Sequence, residues 1–114
     1  MILYYMKREF YVYILSNPER TVLYTGMTNN ITRRLIEHYI NRGDPKTFTG
    51  RYYCYCLVYL ESFPSPIEAI QAEKYIKGKN RKWKESLIKE NNPDFRFLNK
   101  DVIGIWPPTT PQSS

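Results

Sequence analysis

The chain has 114 residues, of which 42% are hydrophobic, so it is long enough for one domain with a modest core. Its 17 Lys and Arg residues outnumber its 11 Asp and Glu residues, and the net charge of +6 favours a polyanionic partner, with nucleic acid first and an anionic membrane surface second. Two cysteines and one histidine argue against a structural zinc site, and no apolar run approaches the roughly 20 residues of a membrane span.

The two cysteines, Cys54 and Cys56, lie two residues apart, which is a poor geometry for a disulfide. Free thiols favour a reducing compartment. Met1–Arg8 also lacks the charged-then-apolar order of a signal peptide. We therefore expect a cytoplasmic protein with no membrane association.

The first predicted element is a β-hairpin. Two aromatic runs, Phe10–Leu15 and Thr21–Thr25, flank an Asn-Pro turn signal. A four-residue loop over Asn17–Arg20 would set Tyr13 opposite Tyr24, with Cβ atoms about 5 Å apart. Two neighbouring phenols on a sheet are either a stacked core pair or part of a reaction centre, and the hairpin alone does not decide between them.

A helix is predicted next, over Ile31–Arg42, with Asn30 as its N-cap and Gly43 as its stop. Its apolar residues recur every four positions and form one stripe. At about 100° per residue, Arg34 and His38 lie beside that stripe and face back towards the sheet. The alternative is an arginine that reaches out to solvent and a histidine with a purely structural role.

The middle of the chain predicts a loop and a third strand. Gly43–Arg51 is polar and basic and is expected to be mobile, and Arg51 in it is a candidate substrate-binding residue. Tyr52–Glu61 places apolar side chains on both faces of a strand, as expected for a strand that is covered on both sides. This strand is either central in the sheet or buried by helices on either side.

Pro66–Lys77 predicts a second helix, capped by Ser65 and stopped by Gly78. The face with its two alanines suits close packing on the sheet, and Glu73 lies on that face. A carboxylate aimed at a sheet has to be paired, hydrated or bound to a metal. The alternative is a surface ion pair with Lys77, worth about 0.3–0.5 kcal/mol.

A third helix, Arg81–Glu90, is predicted with Asn80 as its cap and with Trp83 and Leu87 on its packing face. The region around its start is strongly basic, and it is either a phosphate-contacting surface or a solvated helix face. The candidate substrate-binding residues here are Lys77, Lys79, Arg81 and Lys82. Residues 100–114 are rich in Pro, Ser and Thr and are expected to form a flexible tail.

The element order is therefore β-β-α-β-α-α, and with its motifs the chain resembles the GIY-YIG nuclease superfamily. It is most similar to small stand-alone members that are like the nuclease domain of the bacterial excision-repair incision subunit. The matching segments are Tyr11-Val12-Tyr13, Tyr24-Thr25-Gly26, Asn29 to Arg34, His38, Leu57 to Glu61, Glu68 to Gly78 and Asn92-Pro93. Two departures stand out, because Tyr11 replaces the usual glycine and Thr25 replaces an aliphatic residue.

The resemblance implies an α+β fold in which a small three-stranded antiparallel sheet is flanked by three helices. The domain would cover residues 9–99, after an N-terminal extension of residues 1–8. The implied catalytic residues are Tyr13, Tyr24, Arg34, His38 and Glu73. Glu73 would hold one Mg²⁺ or Mn²⁺ ion. A late asparagine, Asn99 or Asn92, would lie near the site, and Asn99 is the candidate for contacting substrate.

The implied activity is metal-dependent endonucleolytic hydrolysis of DNA, in repair or processing, with RNA as the other substrate. Specificity would come from loops, a homodimer or a targeting partner. One alternative is a nucleic-acid binding module of the same fold with little catalysis. The other is a protein–protein adaptor, which would leave Arg34, His38 and Glu73 without a reason to share one face.

Overall fold

The structure is a computed structural model that describes residues 9–108. The expected N-terminal extension and the last six residues of the expected tail lie outside this range. The elements are β1 (Phe10–Ser16), β2 (Leu23–Thr28), α1 (Ile31–Ile40), α2 (Phe48–Arg51), β3 (Cys56–Phe63), α3 (Pro66–Lys77), α4 (Arg81–Asn91) and α5 (Asn99–Ile103).

The three strands form one antiparallel sheet in the order β2-β1-β3. The α+β fold with a three-stranded antiparallel sheet is therefore confirmed. β1 is the central strand, so the option of a central third strand is wrong. β3 is an edge strand, and it is still buried on both faces, because Leu57, Val58 and Tyr59 are all in the core.

The hairpin register differs from the predicted one by two residues. Tyr13 pairs with Gly26, and Leu15 pairs with Tyr24. The cause is the side chain of Asn17, whose Oδ1 accepts hydrogen bonds from the backbone N–H groups of Thr21 (2.8 Å) and Val22 (3.0 Å). These groups are held by an asparagine and not by the strand ladder, so the loop has six residues instead of four.

The sheet carries a hydrophobic cluster on each face. Val12 and Ile14 of β1 pack with residues of α3 and α4, including Ile76 and Ile88. The residues between them, such as Tyr13, point the other way and pack with α1. This alternation follows from the two-residue period of a strand, and it places α1 and α3 on opposite faces.

Three helix caps are confirmed. Asn30, Ser65 and Asn80 accept hydrogen bonds from the backbone N–H three residues later, at 3.0, 3.3 and 2.8 Å. The packing face of α4 is also confirmed, because Trp83 and Leu87 both contact the core. Helix α1 ends at Ile40, two residues before the predicted end, so its length is slightly overestimated.

The segment predicted as a polar loop contains the short helix α2, which corrects that prediction. Thr47 caps this helix and accepts a hydrogen bond from Gly50 N at 3.0 Å. Thr49 and Gly50 are buried, and Cys54 N donates to Thr49 O at 2.8 Å. The segment is therefore built into the domain next to the end of α1.

The chain beyond α4 also packs on the domain. Asn92 is buried, and its side chain bonds to the backbone of Val58 and Arg96. Helix α5 begins the stretch expected to be a tail, and Trp106 lies with its ring centroid 5.1 Å from that of Tyr39 on α1. Within residues 9–108, no helix is both long and apolar enough to cross a membrane.

Candidate active site

The site is centred on Tyr13, in the middle of the central strand. Its ring lies directly over Gly26 on β2, so closely that a Cβ on residue 26 would be 2.5 Å from the Tyr13 hydroxyl oxygen. Tyr24 is on the same face, with its ring centroid 6.4 Å from that of Tyr13. The two tyrosines are thus diagonal neighbours, not directly opposed residues, and Gly26 leaves the space that the Tyr13 phenol occupies.

His38 of α1 completes this face. Its Nε2 is 2.9 Å from the Tyr13 hydroxyl, and its Nδ1 is 3.2 Å from Oγ1 of Thr49. Its ring also meets Tyr24 edge-on, with centroids 5.9 Å apart. Tyr13, His38 and Thr49 are buried, and Tyr24 is half-buried. The result is a hydrogen-bonded chain, Tyr13–His38–Thr49, that holds the imidazole by both nitrogens.

Thr49 was missed by the sequence reasoning. It lies in a segment whose composition indicates a solvent-exposed loop, and nothing in the sequence distinguishes it from Thr47. What separates them is the helical turn of α2, which sends Thr47 to a cap position and Thr49 inwards. The capping spacing, a Thr three residues before Gly50, is the signal that would have found this turn.

Burial shifts the pKa values of both hydrogen-bonded groups away from neutrality. It raises the pKa of Tyr13 to about 12, and the nearby Arg34 guanidinium only partly opposes this. Burial lowers the pKa of His38 to about 4, helped by the positive charge of Arg34 and opposed by Glu37. At neutral pH the site therefore holds a neutral phenol and a neutral imidazole.

Arg34 is the cation of this face. Its side chain is 38% exposed, and its Nη1 donates to Oε1 of Glu37 at 3.1 Å. Its positive charge is close enough to the Tyr13 hydroxyl to oppose the rise in pKa that burial causes in that phenol. A guanidinium has five N–H donors, so donors remain for a phosphate oxygen.

Glu73 approaches from α3, on the other side of the sheet. Its side chain is only 20% exposed, and its charge is close enough to raise the pKa of Tyr13. Its Oε2 is 3.3 Å from Nζ of Lys77, so the ion pair named as the alternative is present. The charge of Glu73 therefore reaches Tyr13, while its carboxylate is paired with a lysine at the same time.

The donor set for a metal is small. Within residues 9–108, no group of three or more His, Cys, Asp or Glu side chains could enclose an ion. Glu73 is the carboxylate whose charge reaches Tyr13, and one carboxylate with several waters suits Mg²⁺, which dehydrates reluctantly. The site thus fits a largely hydrated hard cation and does not fit a metal that needs several protein ligands.

Two of the candidate substrate-binding residues have hydrogen-bond partners within the protein. Asn99 is buried, accepts a hydrogen bond from Leu57 N at 2.8 Å and donates one to Tyr55 O at 2.9 Å. These bonds fasten α5 to the start of β3. Both polar atoms of the Asn99 amide therefore have a structural role, and its contact with substrate stays a prediction.

Arg81 is likewise engaged. Its guanidinium donates to the backbone carbonyls of Arg20 (2.9 Å) and Thr21 (2.5 Å) and to Glu85 (2.9 Å). It ties the start of α4 to the hairpin loop. These bonds give Arg81 a structural role, and because the residue is exposed and two of its five N–H donors are not used in them, its contact with phosphate stays a prediction.

The remaining cationic candidates stay on the surface. Arg51, Lys77 and Lys82 are exposed, and Lys79 lies over the Tyr75 ring at 4.4 Å. Arg51 belongs to α2, whose Phe48 ring stacks beside Tyr24, whereas the lysines lie along the end of α3 and the start of α4. No single cluster contains all of the cationic residues proposed from the sequence.

Comparison with known proteins agrees with this architecture. The GIY-YIG catalytic domain family matches residues 9–86, which include both tyrosine motifs and Glu73. A UPF0213 protein of Limosilactobacillus reuteri is 30% identical over 82% of this chain and 96% of its own length. A UPF0213 protein of Natronomonas pharaonis is 40% identical over 73% of this chain and 94% of its own.

A solved structure is also similar. The solution NMR structure of a UPF0213 protein from Bacillus halodurans shares 33% identity with this chain and superposes with a TM-score of 0.50. The match covers 81% of this chain and 95% of the other. The motif match, the fold and the length of these relatives agree, and this chain belongs to the GIY-YIG family as one of its small members, with a nuclease-type catalytic domain.

Proposed function

We propose that this protein is a divalent-metal-dependent endonuclease that hydrolyses phosphodiester bonds in DNA, in repair or processing. The observation that carries the proposal is the Tyr13–His38–Thr49 chain with Arg34 beside it. Arg34 and His38 of α1 both lie close to the Tyr13 phenol, and Thr49 of α2 holds the far side of the His38 ring. A core stacking role for the tyrosines would not need them.

Phosphodiester hydrolysis requires an oriented water, stabilisation of the charge that develops on the phosphoryl group, and help for the leaving oxygen. Arg34 is suited to the second task, because its planar fork matches phosphate oxygens and it is partly exposed. Its pairing with Glu37 on the same helix fixes its direction. Arg34 is therefore the proposed phosphate-binding residue.

Tyr13 is suited to the first task, as a hydrogen-bonding group that orients the water. If its hydroxyl donates to His38 Nε2, its oxygen can accept a hydrogen bond from a water that enters with the substrate, because the residue is 1% exposed in the free protein. Transfer of the proton from a phenol with a pKa of about 12 to an imidazole with a pKa of about 4 is strongly unfavourable. A neutral Tyr13 would therefore position water without deprotonating it, and a general-base role needs additional positive charge from the bound state.

The other two catalytic candidates have distinct places. Tyr24 packs against the rings of Tyr13 and His38 and would shape the wall of the site. Glu73 would hold the divalent ion, which when bound supplies Lewis-acid stabilisation of phosphoryl charge. Lys77 would then have to release the Glu73 carboxylate, because its ammonium now occupies one face of it.

DNA is the proposed substrate because the chain carries a net charge of +6 and exposed cations on both faces of the sheet. Binding through Arg51, Lys77, Lys79 and Lys82 would be mainly electrostatic, so affinity should fall steeply with salt concentration. These contacts read phosphates and not bases, so weak sequence preference is expected. RNA remains the alternative substrate for the same chemistry.

One observation favours a second candidate function. The Glu73–Lys77 pair, with Nζ and Oε2 3.3 Å apart, neutralises the proposed metal ligand in the free protein. If that pair persisted with substrate bound, the domain would bind nucleic acid and hydrolyse little of it. The two functions differ in whether cleavage depends on Glu73 and on added metal.

The test is cleavage of supercoiled plasmid and of branched and flapped oligonucleotides, with Mg²⁺, with Mn²⁺ and with chelator. Glu73→Gln should abolish cleavage, and Tyr13→Phe should slow it by about 10²–10⁴-fold, the usual contribution of a positioned proton-transfer group. Glu90→Gln, which removes an exposed carboxylate from α4, is the matched control and should cleave like the unmodified protein.

Cleavage that survives both Glu73→Gln and chelator would overturn the metal assignment. Salt-dependent binding without cleavage of any substrate would establish the binding module instead. If the protein neither binds nor cleaves any of these substrates, the protein–protein adaptor is the remaining function.

A further inference from the structure

An exposed pair of aromatic rings leads away from the candidate active site. The Phe48 ring stacks beside Tyr24, with centroids 6.0 Å apart and planes 29° apart. The Tyr52 ring lies 4.8 Å beyond it. Phe48 and Tyr52 are nevertheless 48% and 42% exposed, although large rings are normally buried. We call these two residues the aromatic row.

The backbone that carries the aromatic row is held firmly. Thr47 caps α2, and Gly43 N donates to Gly50 O at 2.8 Å. Gly50 is packed so closely that a Cβ there would be 2.4 Å from Asp44 O and 2.8 Å from Asn41 O. The two rings are therefore presented on one side of a fixed turn, because residues four apart on a helix are neighbours.

Positive charge and open space adjoin the aromatic row. Arg51 lies between the two members in sequence and is exposed, and its Nη2 donates to Pro45 O at 3.0 Å. A cleft of about 440 Å³ continues past Tyr52 towards the hairpin loop. Asn17, Pro18, Glu19, Arg51, Tyr52 and Tyr53 line it. Glu19 is the one acidic group in this lining, so the side nearer Arg51 suits a phosphate and the far rim does not.

We propose that the aromatic row stacks an unpaired base of the substrate, next to the phosphate that faces Arg34 and Tyr13. The inference rests on the proposed nuclease function and specifies its substrate class, which is nucleic acid with a single-stranded segment beside the cleaved bond. Bases in a duplex are covered by their neighbours, so only an unpaired base can offer its face to a protein ring.

The geometry favours a base over a protein partner at this surface. The rings continue the series Tyr13–Tyr24–Phe48 from the buried site to solvent, with centroid spacings of 6.4 and 6.0 Å, so a ligand at the site reaches them directly. An adjoining arginine adds the charge that a backbone phosphate needs. Stacking with phosphate contacts is how proteins hold single strands without sequence preference.

Binding can be tested apart from cleavage. A duplex with a single-stranded flap carries the fluorescent base 2-aminopurine as its first unpaired nucleotide, and the protein is added with chelator present. Stacking on a protein ring should quench the fluorescence. The variants Phe48→Leu and Tyr52→Leu keep apolar bulk but remove the flat ring. Phe48 stacks beside Tyr24, whereas Tyr52 packs on Phe48, so Tyr52→Leu changes the ring farther from the candidate active site.

Each variant should lose the quenching and bind the flap about 5- to 150-fold more weakly, as expected for one base–aromatic contact. Binding to the fully paired duplex should change by less than about two-fold, because phosphate contacts are untouched. Tyr75→Leu is the matched control, since Tyr75 is an exposed ring, 58% accessible, on the opposite face of the sheet. It should leave the preference for flap over duplex unchanged.

The two proposals fail in different ways. Equal loss of flap and duplex binding in the Phe48 and Tyr52 variants, or no change in either, would overturn the aromatic row and leave the nuclease function intact. Phe48-dependent quenching without cleavage under any metal condition would support the aromatic row and contradict the nuclease function. A flap that is bound no better than duplex by the unmodified protein would also overturn the aromatic row.

Discussion

Alanine at position 26 would place a methyl group inside the candidate active site. Its Cβ would lie 2.5 Å from Oη and 2.6 Å from Cζ of Tyr13, and 3.0 Å from Cε2 of Tyr24. Carbon atoms attract one another at about 3.5–4.0 Å and repel strongly at these distances. Tyr13 cannot swing away freely, because it is 1% exposed and its hydroxyl is bonded to His38.

The cost follows from these contacts. Forcing one extra methyl into a packed site costs about 1–3 kcal/mol, and displacing the Tyr13 hydroxyl from His38 adds about 1 kcal/mol for the lost hydrogen bond. We expect Gly26→Ala to lower the free energy of unfolding by about 2–4 kcal/mol. A shift of about 1 Å in Tyr13 should also slow cleavage by about 10²-fold.

Urea unfolding at neutral pH measures the stability, and plasmid nicking measures the activity of the folded fraction. Gly78→Ala is the control, because its Cβ would meet nothing nearer than 3.6 Å and its backbone is in the right-handed helical region. That variant should be unchanged or slightly more stable. Tyr13→Phe in the Gly26→Ala background should recover part of the loss, since the nearest clash is with the hydroxyl oxygen. A Gly26→Ala protein within about 0.5 kcal/mol of the parent and fully active would refute the packing argument, because ordinary surface changes have effects of that size.

Two further outcomes are expected. His38 is the only histidine, so its NMR titration is unambiguous, and its midpoint should be near 4 instead of the usual 6.5; a midpoint near 6.5 would contradict its burial. Because the pKa of His38 is lowered in the folded state, the free energy of unfolding should fall by about 3 kcal/mol as pH falls from 6.5 towards 4. His38→Gln should remove this part of the pH dependence of unfolding. Asn99→Ala should lower the free energy of unfolding by about 2–4 kcal/mol, because it leaves two buried backbone groups unpaired, while the exposed control Asn91→Ala changes it by less than about 0.5 kcal/mol. If Asn99→Ala instead unfolds normally and loses activity, Asn99 belongs to the substrate and not to the fold.

Local chemistry explains what the sequence predicted well. The cap residues Asn30, Ser65 and Asn80 act on backbone groups three positions away, so their effect is legible in a short window. The face of α3 that carries Glu73 also follows from the helical period alone. The GIY-YIG resemblance then added the residue roles, which periodicity cannot supply.

Long-range contacts explain what the sequence predicted poorly. Arg81 bonds to carbonyls about 60 positions earlier, and Asn99 bonds to Leu57 and Tyr55 more than 40 positions earlier. Charge or polarity in a local window cannot distinguish such a fastening residue from a ligand-binding one. Thr49 was missed for the converse reason, because the turn that buries it depends on Gly50 packing against the end of α1.

The difference between the predicted and observed hairpin registers leaves Tyr13 and Tyr24 on the same face of the sheet. The predicted loop was short by two residues, and side chains along a strand alternate with a period of two, so the shift kept Tyr24 on the same face as Tyr13. A shift of one residue would have sent Tyr24 to the α3 face and separated it from His38. The shift also moved Gly26 to the position opposite Tyr13, where a side chain would collide with the phenol. The glycine of the second motif is therefore a steric requirement of the first motif's tyrosine, and the two motifs act as one unit across the β1–β2 pair.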